Sequence, residues 1–356
     1  MFSPPKKMHA AVFYSPNNIA IEEIPFSKPD EKDVVLRVKA CAICGYDTRV
    51  FRNGHQKVTP PIILGHELCG ESLETTTMAN GKVIKDGTRL AVSPIIPCLM
   101  CEYCNNKQYN LCINLREIGS TIDGGFAEYI KIPEQILRIG GLIPISDSLS
   151  NEEAALLEPL ACCLNGFFHI GAVTKENSVV IIGDGPIGLL HVQLSKKLYG
   201  AKTILIGKIP ARIQKAKSIG ADCTVIVSDN NETVYKILDF THGIGANIVI
   251  IATSNPAALS LAIKIASKNS KINIFAGMPN GKSIPLDPNW LHYNQISITG
   301  SFSSTPIMLQ EAAKLAENKE VDLSKIITHR YSLNNIKEAM LATEKYYGFR
   351  TVINRF

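Results

Sequence analysis

Ten cysteines are spread over 356 residues, and four of them fall in one short stretch: Cys98, Cys101, Cys104 and Cys112. The spacing, C-x2-C-x2-C-x7-C, lets four sulfurs of one loop converge on a single ion, and a closed shell of thiolates suits structural zinc. A second, mixed set comprises Cys44, His66, Glu67 and Glu158. A sulfur, an imidazole and carboxylates are the donors of a catalytic zinc that keeps one position open. Spacing alone makes this second set a weaker signal. Cys41-x-x-Cys44 also reads as a redox pair, and a lone Cys or His is more often buried structure than ligand.

The third chemical feature is Gly183-x-Gly185-x-x-Gly188, with Pro186 and Ile187 inside it. It follows the apolar run Val179–Ile182 and opens a segment with Ile187, Leu190, Leu194 and Leu198 at helical spacing. A glycine loop between strand and helix brings backbone close to a pyrophosphate, and the helix N-terminus offers free N–H groups to it. Without a ligand it would be only a tight strand–helix turn. In NAD binders the next strand ends in an acidic residue that bonds the ribose 2′-hydroxyl. Here Ile204-Leu205-Ile206 ends in Gly207-Lys208, with Arg212 soon after. A glycine leaves room for a 2′-phosphate and the two cations pair with it, so the expected cofactor is NADP(H) in preference to NAD(H).

The elements that must position these groups change character along the chain. Over 8–150, short β-rich runs recur (Ala10–Tyr14, Ile19–Ile24, Asp33–Ala40, Arg89–Val92, Ala127–Ile132), punctuated by Pro, Gly and Asn. Beyond about Asn151, apolar strands alternate with helices. Thr203–Ile206, Thr224–Val227, Asn247–Ala252 and Lys271–Ala276 read as strands, and Ala211–Ile219 and Pro256–Ala266 as helices. That alternation predicts a parallel, doubly wound α/β sheet. After about Ile296 it stops, leaving a helix over Pro306–Asn318 and a terminal strand Arg350–Ile353.

With 46% apolar and 19% charged residues, the composition is that of a globular protein with a sizeable core. A net charge of +5 does not call for a nucleic-acid partner. No run reaches the ~18 apolar residues of a membrane span, and no apolar run follows the N-terminal residues as a signal peptide would. The expected location is the cytoplasm, where free thiols and metal ligands are the usual state of cysteine.

Taken in order, Cys44-Gly45-Tyr46-Asp47, Gly65-His66-Glu67, the four-cysteine lobe, Gly124-Gly125-Phe126-Ala127-Glu128-Tyr129, Glu158-Pro159-Leu160 and Gly183–Gly188 resemble the zinc-containing medium-chain alcohol dehydrogenase family. The resemblance covers nearly the whole chain, and Glu158-Pro159-Leu160 is similar to the polyol dehydrogenase branch. It implies a GroES-like β domain over 1–153 and 297–356, carrying the zinc lobe at 98–112, and a Rossmann domain over 154–296. It implies that Cys44 and His66 bind the catalytic zinc directly, and that Glu67 and Glu158 complete the shell directly or through water. It also implies hydride exchange between the carbinol carbon of a polyol, or the matching ketose, and a nicotinamide, with zinc lowering the pKa of the alcohol. A homo-oligomer, dimer or tetramer, is implied as well.

The chain departs from the family pattern in three places. Where a Ser or Thr usually relays the substrate proton, this chain has Tyr46, whose phenol also donates and accepts. Where sorbitol dehydrogenases carry an Arg and a Tyr against the polyol, Ser303 and Ser304 stand, which puts sorbitol itself in doubt. Near the first ligand loop, Arg49 and Arg52 resemble the corresponding part of galactitol-phosphate dehydrogenases, making a phosphorylated sugar or polyol an alternative substrate. The plainer reading has both arginines holding the loop, with Asp47 as an ion-pair partner.

Readings from other classes meet obstacles in the residues. A nucleic-acid-binding zinc ribbon wants basic and aromatic residues among its cysteines, whereas Lys107 is the one cation between Cys98 and Cys112. A zinc-free reductase of the same superfamily would lack Cys44, His66 and the lobe. A zinc- and cofactor-binding protein without turnover is left, with Tyr46 in its favour.

Overall fold

A computed structural model describes residues 5–26, 29–79, 81–228, 230–279 and 281–356. The chain forms two compact units. One comprises Met1–Ala161, Ser304–Lys319 and Leu323–Phe356; the other comprises Cys162–Ser303 and Glu320–Asp322.

The first unit is built on antiparallel strands. Lys7–Ser15 pairs with Asn18–Pro25 and with Ile62–Ile63. A seven-stranded sheet is centred on Val34–Ala42 and Glu67–Ser72. The C-terminal strand Arg350–Arg355 pairs with Val34–Ala42 on one side and with Ile327–Ser332 on the other, so the chain does return to this unit. The expected β runs are found: the first two are longer than read, the third is Val34–Ala42, Arg89–Val92 is unchanged, and the last is shortened to Tyr129–Ile132. Phe13, Phe126, Leu36, Leu68 and Ile353 are buried in one apolar cluster beneath these strands. Among the helices that the sequence reading did not name are Gly45–Asn53, directly after Cys44, and Ile336–Glu344. Both are nine residues long, little more than two turns each, too short for their apolar residues to repeat over a long helical window.

The second unit holds a six-stranded, all-parallel sheet. Its spatial order is Cys223–Ile226, Lys202–Gly207, Ser178–Ile182, Ala246–Ile251, Ala266–Ile274, Ser297–Gly300. This is the 3-2-1-4-5-6 order of the doubly wound dinucleotide fold, whose switch point lies between the first and fourth strands. Ser178–Ile182 is buried at every position, as expected of a strand covered on both faces. The helix read as one element beyond the glycine loop runs over Pro186–Gln193 and continues as a π turn over Leu194–Leu198.

The boundary expected at 296/297 moves to 303/304. Ser297–Gly300 closes the parallel sheet beside Ala266–Ile274, and Asn165 Nδ2 donates to the carbonyls of Phe302 (3.1 Å) and Ser303 (2.9 Å) in the same unit. No helix among the described residues is long and apolar enough to cross a membrane.

Candidate active site

Cys44 is the last extended residue before the Gly45–Asn53 helix, and Asp47 in its first turn reaches back to it. Asp47 is fully buried. Its Oδ2 accepts the Cys44 N–H at 2.8 Å and its Oδ1 the Gly65 N–H at 3.3 Å; Oδ1 also lies 3.5 Å from His66 Nδ1. One carboxylate therefore ties the Cys44 loop to the Gly65-His66 turn and orients the imidazole. Burial works against protonation of His66, but the charge and hydrogen bond of Asp47, with Cys44 adding to them, hold it well above the ordinary imidazole value. A carboxylate behind a histidine is the usual support of a metal-binding imidazole.

The Gly65 turn is fixed by close backbone packing. Gly65 has φ +94°, and a side chain at Gly124 would run into the Gly65 carbonyl. Gly125 N–H donates to that same carbonyl at 2.8 Å. The Gly124-Gly125 pair is thus the floor against which His66 is set.

Glu67 opens the Glu67–Ser72 strand and is almost completely buried. Cys44, His66 and Glu67 present ligand atoms that all lie within 4.8 Å of one another. Arg350 Nη2 lies 3.2 Å from Glu67 Oε1, yet the pair is not aligned for a hydrogen bond, and Glu67 Oε2 has no hydrogen-bond partner. Arg350 is itself buried, and its Nη1 donates to the Ile43 carbonyl at 3.1 Å. Burial, partly offset by Arg350 and reinforced by the charge of Glu158, pushes the Glu67 carboxyl up to about 7. Glu158 is buried in the first turn of the Leu157–Ile170 helix. An orphaned carboxylate oxygen beside a thiol and an oriented imidazole fits a divalent cation, and the S/N/O donor set fits zinc.

Tyr46 stands next to this group. Its ring centroid is 5.8 Å from that of His66; its hydroxyl is 2.9 Å from Ser120 Oγ and 3.4 Å from His55 Nδ1. Burial raises its pKa above the ordinary phenol value.

The two arginines of this loop separate. Arg52 is taken up by structure: Nε and Nη2 grip the Glu344 carboxylate at 2.6–2.8 Å and Nη1 donates to Asn17 Oδ1 at 2.6 Å. That fork holds the Gly45–Asn53 helix to the Ile336–Glu344 helix, which corrects the expectation of Arg52 as a phosphate ligand. Arg49 is exposed, with Nη1 over Gly45 beside Cys44. Asp47 pairs with neither arginine, because the Cys44 and Gly65 N–H groups and His66 take its oxygens.

In the lobe, the sulfurs of Cys98, Cys101, Cys104 and Cys112 converge without any disulfide. Cys101–Cys104 is 3.5 Å, and Cys98–Cys104 and Cys101–Cys112 are each 3.9 Å. A tetrahedron with metal–sulfur bonds of about 2.3 Å has edges of about 3.8 Å, so the cage already has the dimensions of a zinc site. Hydrogen bonds from the Met100 backbone lower Cys98, and those from Ile113 bring Cys101 down to about 6. Burial pushes Cys104 up to about 12 and raises Cys112. Two thiols are thus prepared for ionisation by backbone donors, and a cation would have to ionise the other two.

In the second unit, the glycine loop joins Ser178–Ile182 to a helix starting at Pro186, with Gly185 as the residue before it. A side chain at Gly188 would collide with the Gly183 carbonyl, so helix and strand meet backbone to backbone. A Cβ at Gly185 would meet nothing within 4 Å, which leaves the open space a pyrophosphate needs in front of the helix. Ile187 follows Pro186 half-buried. At the end of the next strand the expectation requires correction. The space over Gly207 is not open: a Cβ there would lie 2.6 Å from Asp184 Oδ2. Lys208 is exposed, while Arg212 is buried in the Pro210–Ser218 helix.

Asp47, Asp184 and Arg350 are the residues whose part at these sites the sequence reading missed. Asp47 lies within the quoted Cys44–Asp47 stretch and Asp184 between two motif glycines, so both stood beside a signal. For Arg350 nothing local pointed to Glu67.

The comparisons agree with this geometry. Residues 30–141 match the alcohol dehydrogenase GroES-like domain and residues 186–318 the zinc-binding dehydrogenase family. The chain is 33% identical to the sorbitol dehydrogenase of Bacillus subtilis (strain 168), over 94% of this chain and 93% of that one. It is 32% identical to the D-arabitol-phosphate dehydrogenase of Enterococcus avium, over 89% and 88%. Among solved structures, a zinc-binding dehydrogenase of Sinorhizobium meliloti 1021 bound to NADP superposes with a TM-score of 0.88 at 28% identity, covering 98% of this chain and 100% of that one.

Proposed function

This chain belongs to the zinc-binding, GroES-like alcohol dehydrogenase family, and we propose that it interconverts a polyol or sugar alcohol and the corresponding ketose with a nicotinamide dinucleotide. The observation that carries the proposal is the convergence of Cys44, His66 and the buried Glu67, with the unpartnered Glu67 Oε2, backed by Asp47 and Arg350. When bound there, zinc supplies Lewis-acid polarisation of the substrate oxygen, and the nicotinamide supplies the hydride chemistry.

The chain's own residues do the rest. Cys44 and His66 hold the metal, and Asp47 keeps the imidazole in the tautomer that offers its free nitrogen. Glu67 and Glu158 complete the donor set; two carboxylates pressing on each other and on Arg350 make an adaptable negative wall for a divalent charge. Tyr46 passes the substrate proton outward, since its hydroxyl reaches both Ser120 Oγ and His55 Nδ1 and His55 is exposed. Cys98, Cys101, Cys104 and Cys112 hold a second, structural zinc. Gly183, Gly185, Pro186, Ile187 and Gly188 seat the pyrophosphate. NADP(H) was expected because Gly207 looked open; with Asp184 in that space, that preference is not carried forward. By the same family reading the protein is a cytoplasmic homo-oligomer.

A second reading has support of its own. The exposed Arg49 guanidinium beside Cys44 suits a phosphorylated polyol, and one relative is named for such a substrate. The test is reduction of a ketose and of its phosphate by the zinc-loaded protein, in wild type and Arg49→Ala. Turnover with either supports the dehydrogenase. Faster turnover of the phosphate, lost selectively in Arg49→Ala, selects the second reading. No turnover with either sinks both.

A further inference from the structure

Asp184 is a carboxylate inside the dinucleotide loop that the glycine motif does not require. It lies between Gly183 and Gly185 and is half-buried. Its Oδ2 accepts the backbone N–H groups of Lys208 and Ile209, each at 2.7 Å. Those are the first two residues past the Lys202–Gly207 strand, the place where this fold reads the adenosine ribose. The strand's last residue is Gly207, and a side chain there would collide with the Asp184 side chain. Two adjacent N–H groups form a small anion-binding nest, and the protein's own carboxylate fills it.

On the reading that this loop binds a nicotinamide dinucleotide, we propose that Asp184 replaces the acidic residue missing from the strand end, reads the ribose 2′-hydroxyl, and makes the enzyme prefer NAD(H) over NADP(H). Both backbone bonds end on Oδ2, which leaves Oδ1 to accept the hydroxyl proton. A 2′-phosphate would instead bring about two negative charges against a fixed carboxylate and find the nest already taken. At a separation of a few ångströms in a partly wet site, that repulsion amounts to roughly tenfold or more in affinity. The exposed Lys208 ammonium remains available to a 2′-phosphate once the carboxylate is gone. The second unit therefore contains a latent NADP(H) site that Asp184 keeps closed.

The experiment measures binding, independently of turnover and of zinc. ADP and 2′,5′-ADP are titrated calorimetrically, and NADH and NADPH by fluorescence, into wild type, Asp184→Asn and Asp184→Ser, with melting curves to confirm folding. Wild type is expected to bind NADH and ADP at least about tenfold tighter than NADPH and 2′,5′-ADP. Both variants are expected to shift that ratio toward the 2′-phosphorylated ligands by a similar factor. Gly207→Asp alone weakens all four ligands, because it meets Asp184, and Asp184→Ser/Gly207→Asp restores the NADH preference. A wild type that binds NADPH tighter, or a ratio unchanged in folded Asp184 variants, overturns the proposal while leaving the dinucleotide reading intact. Failure of all four ligands to bind wild type overturns both.

Discussion

Arg350 and Glu67 face each other at 3.2 Å, both almost wholly out of water, and neither fully satisfies the other. The arginine tempers the cost of burying the carboxylate but leaves Oε2 without a partner, so the pair is stable yet still able to meet a cation. Because the two lie on strands that each pair with Val34–Ala42, the relationship is fixed by the sheet.

Removing Arg350 leaves a buried carboxylate uncompensated. Arg350→Ala is expected to cost about 3 kcal/mol or more in denaturant unfolding. The double variant Arg350→Ala/Glu67→Gln recovers part of that loss. Additive losses in the double-mutant cycle would show that the two residues do not interact.

Asp47→Asn retains an oxygen acceptor but removes the charge behind His66. Zinc affinity at the mixed site is expected to fall about 10- to 100-fold, the usual effect of losing a carboxylate behind a metal-bound histidine. Competition with a chromogenic chelator measures it, and unchanged affinity contradicts the orienting role.

Tyr46→Phe removes the hydroxyl that links Ser120 and His55 while keeping the ring against His66. If the phenol passes the proton, kcat falls about 100-fold with little change in KM. His55→Gln gives a smaller drop that imidazole in the buffer relieves. Near-wild-type turnover of Tyr46→Phe would assign the ring to packing alone.

His191 supplies a pH test away from both sites. It is fully buried, neither ring nitrogen has a hydrogen-bond partner, and its ring stands edge-on to Phe275 at 4.7 Å. Burial pushes its pKa from 6.5 down to about 3. Above pH 6.5 both folded and unfolded chains carry it neutral and its contribution is complete. Between 6.5 and 3 only the unfolded chain takes the proton, so stability falls as pH falls. From pH 6.5 to 5 this group alone should remove roughly 2 kcal/mol. Unfolding of His191→Leu measured across that range should show a correspondingly shallower pH dependence; an equal slope would mean that His191 is protonated in the fold.

How much of this was legible follows from how local each feature is. The four cysteines, the glycine loop and the apolar strands are short-range patterns whose spacing already states their geometry; the cysteines converge and the named strands pair, while Ser297–Gly300, which closes the sheet, was not named. Cys44 and Gly65-His66-Glu67 needed the family resemblance, because a two-loop site has no fixed spacing. What the sequence concealed were contacts across the fold. Arg52 meets Glu344, 292 residues away, and Asp184 reaches Lys208, 24 residues away. Gly207 was read as an open space because a missing side chain is visible in a sequence, whereas the neighbour that fills the gap is not. Arg212 was read as a partner for a 2′-phosphate for the same reason, since burial of a long charged side chain depends on the packing of the whole helix.

The central claim is tested most directly by metal content and turnover on the same samples. Wild type should carry two zinc ions per chain and oxidise NADH or NADPH in the presence of a ketose. Cys44→Ser should carry one ion, keep its fold and lose that turnover, and Cys112→Ser should lose the other ion and melt at lower temperature. A Cys44→Ser protein that still turns over, or a zinc-loaded wild type inactive toward polyols, ketoses and their phosphates, would contradict the account.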